Sequence, residues 1–556
     1  TLRAHAHNLV TTGAVPDMTA AYAAVAPNFV NSVLQGTNVY DLPGDQLFDA
    51  NGKILGNVLP GYTDLDWWDA VSRNGYRQEY NINATGASDK FNVFSSVGYL
   101  KEQGYMLQTD FERFNGRLVA NYEPVSYFKM GVNLNASYSD SDTGAADPDE
   151  LGSTKNPFAV NQYEPIRPYY AHDEEGNIIY GADGKPEWNT TGLNRGDNLA
   201  WNLRLDQANY TRLLVNATAY ATFVLPYGFE ATVRGSMSRN KTNSKDYSNN
   251  IIGSQRGSGG LDIASESLKS HTFMQTITWD RQYGDHHVDV LLDHENYELY
   301  DDYIFLRKSG QMFPDMITVS NFESNDYSSE GIVKRRTESY LGRVRYNYDQ
   351  KYFGEFSLRR DGTSRFAKDN RWGTFWSVGA SWVITKEKFM HNLTWLNFLK
   401  LRAAYGSVGN DAAADAYAMY TLYNISTIDN VGMARPLQLG ANNIKWEATK
   451  TLDVALEGSL FDDRFNFTVG YFNKRNSDLL FNLTKPMSSG TLLNWGALPQ
   501  IMNNVGTMDN KGWEIALGVD IIRNQNFKWD FHVDATFMKN KIVKLPDNQN
   551  IPGCLL

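Results

Sequence analysis

The sequence predicts an all-β fold: a large antiparallel transmembrane β-barrel of the outer-membrane type, incomplete in this chain. Three observations predict it. Apolar and polar residues alternate in segments of roughly ten residues, as expected for strands with one apolar and one polar face. Short and long connections alternate along the chain, as they do in such barrels. Aromatic residues are abundant (32 Tyr, 28 Phe and 13 Trp) and many lie near predicted strand ends.

The composition of the 556-residue chain excludes several other classes of protein. With 52 Lys and Arg against 63 Asp and Glu, the net charge is −11, which argues against nucleic acid as a partner. The single cysteine, Cys554, rules out a disulfide framework and a cysteine-based metal site. No apolar run approaches the ~18 residues of a membrane-spanning helix. A content of 42% hydrophobic residues is too high for a disordered chain.

The first 76 residues are the least regular part of the sequence. A short helix is predicted at Met18–Ala26, and turns are predicted at Tyr40–Ile54. Thr1 does not begin a signal peptide, since no basic segment and apolar segment follow it. Strand-like alternation begins only after this region, near Tyr80.

Alternation of period two then continues to about residue 545 and predicts about sixteen strands. In Tyr127–Tyr138, alternate residues form an apolar face and a polar face. The apolar face carries Phe128, Met130, Val132, Leu134, Ala136 and Tyr138. The segment Trp529–Phe537 repeats this scheme with two Phe and one Trp on its apolar side. Each such segment can therefore present one face to lipid and the other to a polar interior.

The connections between these strands follow a short–long rhythm. The short turns are Glu123–Ser126, Leu225–Gly228, Asp349–Lys351 and Phe461–Asp463. The long polar stretches are Ser139–Ala208, Asn240–Ser267, Tyr300–Val333, Val408–Lys445 and Arg475–Asp509. This rhythm is typical of barrels with short periplasmic turns and long extracellular loops. A soluble sandwich or propeller is the weaker alternative, because no repeat of roughly 40–50 residues occurs and a sandwich would not need Tyr and Trp near its strand ends.

No catalytic motif is found, so we expect no enzymatic activity and no cofactor. The adjacent His286 and His287 would point to opposite faces of a strand and lack further metal-ligand spacing. The acidic run Asp140–Glu150 resembles a calcium loop, but Ala145 and Leu151 replace its glycine and glutamate. A solvated acidic loop is therefore the favoured interpretation, and calcium in an extracellular loop is the alternative.

The stretch from Tyr340 to Asp411 resembles the signature region of the SusC/RagA family of TonB-dependent outer-membrane transporters. It contains YLGRVRYNYDQKYFGEFSLRRDGTSRF and LKLRAAYGSVGND. The residues that match the family's RRDGSSRF-like loop include Arg359, Arg360, Asp361, Gly362 and Arg365. Further motif residues are Trp446, Glu447, Asn510, Gly512 and Glu514. One departure is Trp376, where the family usually has proline, and we expect a changed turn there.

The resemblance implies a closed barrel of about twenty-two strands with a plug in its lumen. Residues 1–76 would then be the first extracellular loop region, after a plug that this chain lacks. Residues 77–545 would be barrel strands with their turns and loops, and residues 546–556 the start of a following loop. On this basis we expect the chain to be a portion of a transporter, without its plug and its last strands.

The function that the resemblance implies is TonB-dependent import of a large nutrient, an oligosaccharide or a peptide, across the bacterial outer membrane. The implied partners are a SusD-like surface lipoprotein, the TonB complex acting through the plug, and outer-membrane lipid. The candidate substrate contacts are the loop aromatics Tyr163, Tyr169, Tyr170, Trp188 and Trp201. Loop packing or contact with the lid is an equally good interpretation of these aromatics. The alternative functions are a SusC-like scaffold subunit and a secreted carbohydrate-binding β-protein.

Overall fold

The protein folds mainly into antiparallel β-strands. A computed structural model describes residues 2–28, 38–49, 51–143, 160–161, 166–191, 198–428, 431–486 and 500–545. Sixteen of its strands form one sheet in which each strand pairs with its neighbours in chain order. The all-β fold class predicted from alternation is therefore confirmed.

The strands of the large sheet grow from 13 residues in β1 to 27 in β9, and the strands after β9 have 12 to 17 residues. The first nine are β1 (Tyr76–Ser88), β2 (Phe91–Gln103), β3 (Thr109–Val125), β4 (Phe128–Thr143), β5 (Gln207–Val224), β6 (Phe229–Ser248), β7 (Gly260–Tyr283), β8 (His286–Gln311) and β9 (Phe322–Tyr348). The other seven are β10 (Tyr352–Thr363), β11 (Trp372–Val383), β12 (Leu396–Asn410), β15 (Glu447–Leu460), β16 (Phe465–Ser477), β19 (Thr507–Arg523) and β20 (Lys528–Lys544). Two small hairpins lie in the loops: β13 (Leu422–Ile428) with β14 (Val431–Gln438), and β17 (Leu480–Thr484) with β18 (Gln500–Asn504).

Within the described ranges, four short α-helices lie outside the sheet. They are α1 (Leu2–Thr11), α2 (Met18–Asn28), α3 (Trp67–Val71) and α4 (Leu199–Leu205). The helix expected at Met18–Ala26 is α2, which packs on α1 through Ala6, Ala21 and Tyr22. In the part of the chain that the structure describes, no helix is both long and apolar enough to span a membrane.

Each strand of the large sheet has an apolar outer face and a polar inner face. In β4 the outer residues Met130, Val132 and Leu134 are 44%, 38% and 37% exposed. Their register partners in β5 are alanines, so the apolar surface continues across the strands. Exposed apolar side chains over so many strands require a non-aqueous environment.

The inner face carries charged residues that are paired with one another. Asp289 on β8 accepts a hydrogen bond of 2.7 Å from Arg345 Nε and lies 3.3 Å from Arg343 Nη2. Arg402 on β12 bridges Asp453 and Glu457 on β15. This arrangement matches a barrel whose lumen is polar and whose outer surface meets lipid.

Two rows of aromatic residues border the outer apolar surface. Near the short turns, the Tyr352 ring stacks between Tyr348 and Trp382 at centroid distances of 6.3 and 6.5 Å. Towards the long loops, Tyr340 lies 6.3 Å from Trp372. On β9, Tyr340 and Tyr348 are about eight residues apart, which corresponds to roughly 20 Å along the membrane normal for a tilted strand. The apolar surface between the rows is thus about as tall as the band of an outer-membrane barrel.

The large sheet ends at β1 and β20. Within the described ranges, each of these strands pairs on one side only, so the sheet does not close on itself. Every residue of β1 and all but one residue of β20 are exposed. The unpaired backbone groups of such edges cannot remain in lipid, because no water is there to bond them.

The short–long rhythm of the connections is present, but two of the long loops are shorter than predicted. The β6–β7 connection is 249–259 rather than Asn240–Ser267, and the β8–β9 connection is 312–321 rather than Tyr300–Val333. The strands continue pairing through the rest of these stretches. Apolar and polar residues do not alternate in these upper parts: Asn240–Asp246 is wholly polar, whereas Tyr303–Leu306 is a run of four aromatic or aliphatic residues.

The expected change of turn at Trp376 is wrong. Trp376 lies within β11, in register with Leu358 of β10 and Ser407 of β12. Its ring packs on Tyr405 with a centroid distance of 5.6 Å and an interplanar angle of 74°. A residue paired on both sides of a central strand is at a position that proline disfavours, and the aromatic side chain adds outer apolar surface instead.

An arginine substitution should have different effects on the two faces of β4. In the full-length protein, Val132→Arg should lower the free energy of unfolding by roughly 2–4 kcal/mol, because it places a charge in lipid. Asn133→Arg, one residue further on the polar face, should cost much less. Urea unfolding in lipid vesicles, followed by Trp fluorescence, measures both. Equal costs would contradict the assigned faces.

Candidate functional site

The RRDGTSRF motif begins in β10 and continues into the loop that follows, the motif loop, and its two arginines, both in β10, lie on opposite sides of the sheet. Arg359 points inward, where its Nε donates to Asp361 at 2.7 Å and its Nη2 to Ser339 at 3.1 Å. Arg360 points outward, with its guanidinium 5.4 Å from the centre of the Trp372 ring. The consecutive arginines therefore serve different surfaces, since side chains alternate along a strand.

Asp411 is the centre of a buried polar cluster at the loop end of the sheet. Its side chain is 8% exposed and lies 3.3 Å from Arg335 Nη2 on β9. Thr363 Oγ1 donates to its Oδ2 at 2.7 Å. Arg365 Nη1 donates to the carbonyl oxygens of Asp411 and Ala414 at 2.7 and 2.5 Å. One carboxylate thus joins β9, the motif loop and the start of the connection between β12 and β13.

Arg365 stays close to this carboxylate in a half-buried position. Burial lowers the pKa of Arg365, and the neighbouring charge of Arg335 lowers it further. Asp411 opposes both effects. Because an arginine remains charged at any physiological pH, the cluster holds two cations around one buried anion.

Apolar side chains complete this loop core. Phe366 is fully buried and contacts the Trp446 ring at a centroid distance of 5.7 Å. Trp446 Nε1 donates to the carbonyl oxygen of Arg371 at 2.9 Å. The other members of the apolar cluster are Ala414, Ala418, Ala441, Ile444, Leu480, Met502 and, partly buried, Ile501. Motif residues from separate stretches of the sequence therefore meet in one hydrophobic core.

Glu447 and Asn504 bond the neighbouring loops to this core. Glu447 accepts from Asn410 Nδ2 at 2.6 Å and from the Leu480 backbone N–H at 2.7 Å. Asn504 Nδ2 donates to the carbonyl oxygens of Lys445 and Asp478 at 2.8 and 2.7 Å. The motif residues Arg365, Trp446 and Glu447 thus organise the loops at this end of the sheet.

The remaining motif residues lie on β19, away from the loop core. Asn510, Gly512 and Glu514 occupy its inner face and pair in register with β16 and β20. A Cβ at Gly512 would lie 2.2 Å from the carbonyl oxygen of Phe537 and 2.9 Å from the Phe472 ring. Only glycine fits there, so this motif position reflects close packing of neighbouring strands.

The structure brings together four of the five aromatics predicted as substrate contacts; Tyr163 lies outside the described residues. Tyr170 is 4.8 Å from Tyr169 and 4.9 Å from Trp188, between ring centres. Trp188 and Trp201 are nearly parallel at 6.4 Å. Tyr169 and Trp188 also pack on the buried core formed by α3 and α4. All four side chains are half-buried, so the cluster combines loop packing with partial exposure.

A buried pair ties this aromatic cluster to the segment before α3. His172 Nε2 lies 3.2 Å from Asp64 Oδ1, and the two side chains are 1% and 2% exposed. Tyr62 stacks on the His172 ring at 4.3 Å. Burial alone would lower the pKa of His172, but the neighbouring Asp64 outweighs it, so the pKa is raised. The charged pair therefore stabilises the loop at low pH and loses this contribution as pH rises through the raised pKa.

The sequence did not identify the residues that hold these clusters together. Asp411 stands at the end of a motif stretch, but nothing in its spacing indicates that three chain segments converge on it. Asp64 and His172 are far apart in sequence and carry no motif. Partners so far apart in sequence can be identified only from the three-dimensional structure.

The residues considered as metal ligands in the sequence analysis lie apart from one another in the described part of the chain. His286 Nδ1 lies 2.7 Å from Tyr346 Oη on the outer face, whereas His287 Nε2 lies 3.1 Å from Asp280. In the acidic run, Asp140 and Asp142 accept from Asn209, and the residues after Thr143 lie outside the described part. Calcium in this loop stays a prediction.

The sheet is an open portion of a large antiparallel barrel of the outer-membrane type, and a shared core organises several of its loops. A family model described as TonB dependent receptor-like, beta-barrel, matches residues 127–552. The chain therefore belongs to this family of TonB-dependent receptors rather than to an enzyme family. The resemblance inferred from the motifs is confirmed.

Two curated relatives are considerably longer than this chain. It is 27% identical to TonB-dependent receptor SusC of Bacteroides thetaiotaomicron, over 91% of this chain and 51% of that protein. It is 26% identical to TonB-dependent receptor P3 of Formosa agariphila, over 89% of this chain and 48% of that one. The chain thus spans about half the length of the curated relatives it matches.

Solved structures of the same architecture support the fold. The RagAB peptide importer in its closed-closed state aligns with a TM-score of 0.74 at 20% identity, covering 96% of this chain and 58% of that one. Another structure of the RagAB peptide transporter aligns with a TM-score of 0.72, covering 88% of this chain and 54% of that one. At this identity the likeness shows the fold alone.

Removing the charge of Asp411 should loosen the loop core. Asp411→Asn leaves Arg335 and Arg365 without their shared anion, and breaking such a buried pair costs about 3 kcal/mol at the lower end of the known range. Amide hydrogens of residues 411–420 should then exchange roughly a hundredfold faster, as measured by mass spectrometry. The exposed Asp415→Asn is the matched control and should change little. Equal exchange in both variants would show that Asp411 does not hold the loop.

Proposed function

We propose that this chain forms the wall and the substrate vestibule of a TonB-dependent importer in the bacterial outer membrane. The imported nutrient is large, an oligosaccharide or a peptide, and a SusD-like lipoprotein covers the loops. The observation that carries the proposal is the membership of residues 127–552 in the TonB-dependent receptor barrel family. The TonB complex would supply energy through a plug that lies outside this chain.

The polar inner face supports passage of a hydrophilic solute. The paired charges of Asp289 with Arg343 and Arg345, and of Arg402 with Glu457, line the inner wall with bonded groups. A hydrated solute crossing a lipid bilayer needs such a polar path. Satisfied charge pairs also leave few free charges to bind the solute tightly during its passage.

The aromatic cluster is the proposed substrate contact at the loop end of the wall. Tyr170, Trp188 and Trp201 are half-buried side chains in a loop that contains the buried His172–Asp64 pair. Rigid aromatic rings bind ligands at low entropic cost, and they can stack on a sugar ring or a peptide side chain. The cluster therefore suits both substrate classes.

The hairpin β13–β14 supports contact with a lid. Its apolar side chains Tyr423, Ile425, Val431 and Met433 are 59%, 82%, 67% and 42% exposed. They belong to the connection that also contains Asp411 and Trp446, so the loop core holds the hairpin in place. Exposed apolar groups of this kind mark protein interaction surfaces.

Uptake measured in cells tests the proposal. A strain without the native gene should regain uptake of a fluorescent oligosaccharide or peptide, chosen by a growth screen, when the full-length gene is restored. This uptake should require TonB. Replacing Trp188 and Trp201 with Ala should raise the half-saturating substrate concentration roughly 2- to 12-fold, because stacking contacts are lost.

The control is Tyr180→Ala, which removes a 60% exposed aromatic from the same loop outside the cluster. It should leave the half-saturating concentration unchanged. A fall in maximal uptake alone, with the half-saturating concentration unchanged in the Trp variants, would refute the contact. Full-length protein that assembles with a lid but supports no uptake would favour the scaffold role instead.

A further inference from the structure

Basic side chains gather on the outer face of the sheet, above the upper aromatic row. Arg239 on β6 is in register with Lys269 on β7, which is in register with Tyr300 on β8, and Tyr300 with Lys334 on β9. Lys241, Arg336 and Arg360 lie on the same face beside this row. We name these six residues the basic belt: Arg239, Lys241, Lys269, Lys334, Arg336 and Arg360.

The belt faces outward because it continues the apolar face. Arg239 has the same strand parity as Val233 and Met237, which are 40% and 45% exposed. Lys334 has the parity of Tyr340 and Val344, whereas the intervening Arg335 points inward to Asp411. A ligand of the belt therefore approaches from the membrane side and not through the lumen.

The height of the belt places it beside lipid headgroups. On β9, Arg336 and Lys334 lie four and six residues beyond Tyr340 of the upper aromatic row. For a tilted strand this corresponds to roughly 10–15 Å above that row. Hydrocarbon ends at the aromatic row, so the belt is level with the headgroup layer.

The charge of the belt is not cancelled by its neighbours. The acidic residues near the belt on this face of β6–β9 are Glu298, Asp302, Glu330 and Glu338, four against six basic residues. Arg336 pairs with Glu298 at 2.9 Å and Lys269 with Asp302 at 3.3 Å. Among the described residues, no ion pair involves Arg239, Lys241 or Lys334. The face is thus positive although the chain carries a net charge of −11.

An aromatic surface lies between the cations. Lys269 Nζ and Lys334 Nζ lie 5.1 and 5.2 Å from the centre of the Tyr300 ring on either side. The row from Arg239 to Lys334 crosses three strand spacings, roughly 14 Å. Cations separated by an aromatic face suit a ligand that carries phosphates on a sugar.

We propose that the basic belt binds the phosphate groups of an anionic glycolipid in the outer leaflet of the membrane. The proposal requires that the outer face meets lipid, but it does not depend on transport. Lys and Arg near a membrane surface attract anionic headgroups, and several together add their effects. The bound lipid would occupy the outside of the β6–β9 wall, below the loops.

The test uses full-length protein purified in mild detergent and purified diphosphorylated lipid A as the probe, with bound lipid counted by native mass spectrometry. Wild-type protein should retain lipid A. The triple variant Arg239→Gln, Lys241→Gln and Lys334→Gln should bind at least about tenfold more weakly. These three residues lack acidic partners, so their neutralisation exposes no unpaired carboxylate.

Two controls separate charge from packing. The charge-preserving variant Arg239→Lys, Lys241→Arg and Lys334→Arg should retain lipid A. Arg281→Gln, which removes an outer-face charge near the β7–β8 turn, should also retain it. If the triple variant fails to fold, the single Lys334→Gln should still weaken binding two- to tenfold.

Three outcomes would overturn the proposal. Equal lipid A binding by wild type and the Gln variants would remove the role of charge. An equal loss of lipid A binding in the charge-preserving variant would show that side-chain shape, and not charge, determines binding. Displacement by millimolar inorganic phosphate, or loss of an acidic protein partner with lipid binding unchanged, would show that the belt serves another ligand.

Discussion

The constraint on which the structure depends is that a strand in lipid must bond all its backbone groups to neighbouring strands while its side chains alternate. The sixteen-stranded sheet meets this constraint in its interior, where every strand has two partners. The alternation then assigns each residue to one of two environments. Met130 and Val132 lie on the apolar face of the sheet, while Asp289 and Arg402 lie on its polar face.

Above the membrane the same strands face water on both sides, and other interactions determine the structure. The long β6–β7 and β8–β9 hairpins continue on backbone pairing alone. Loops are instead held by a few buried groups, among them Asp411, which contacts Arg335, Thr363 and Arg365. The motif loop around Arg365 therefore has a structural role, and the exposed hairpin β13–β14 in the same connection is a surface free to bind.

The sequence predicted the part of the structure that alternation controls. Tyr127–Tyr138 became β4 with its apolar face outward, because lipid on one side and water on the other leave a period of two. The extent of β8 and β9 could not be predicted, because apolar and polar residues do not alternate in their upper parts. Tyr169, Tyr170, Trp188 and Trp201 could be identified as aromatic, but their convergence depends on the His172–Asp64 pair, which carries no motif.

Labelling in intact cells tests most directly whether the loops lie outside and the short turns inside. Gln255→Cys in the β6–β7 loop and Asp285→Cys in the β7–β8 turn would be made separately in a cysteine-free full-length protein. A membrane-impermeant maleimide should label Cys at position 255 in whole cells and label position 285 only after lysis. Labelling of position 285 in intact cells, with position 255 protected, would contradict the orientation and with it the placement of the basic belt in the outer leaflet.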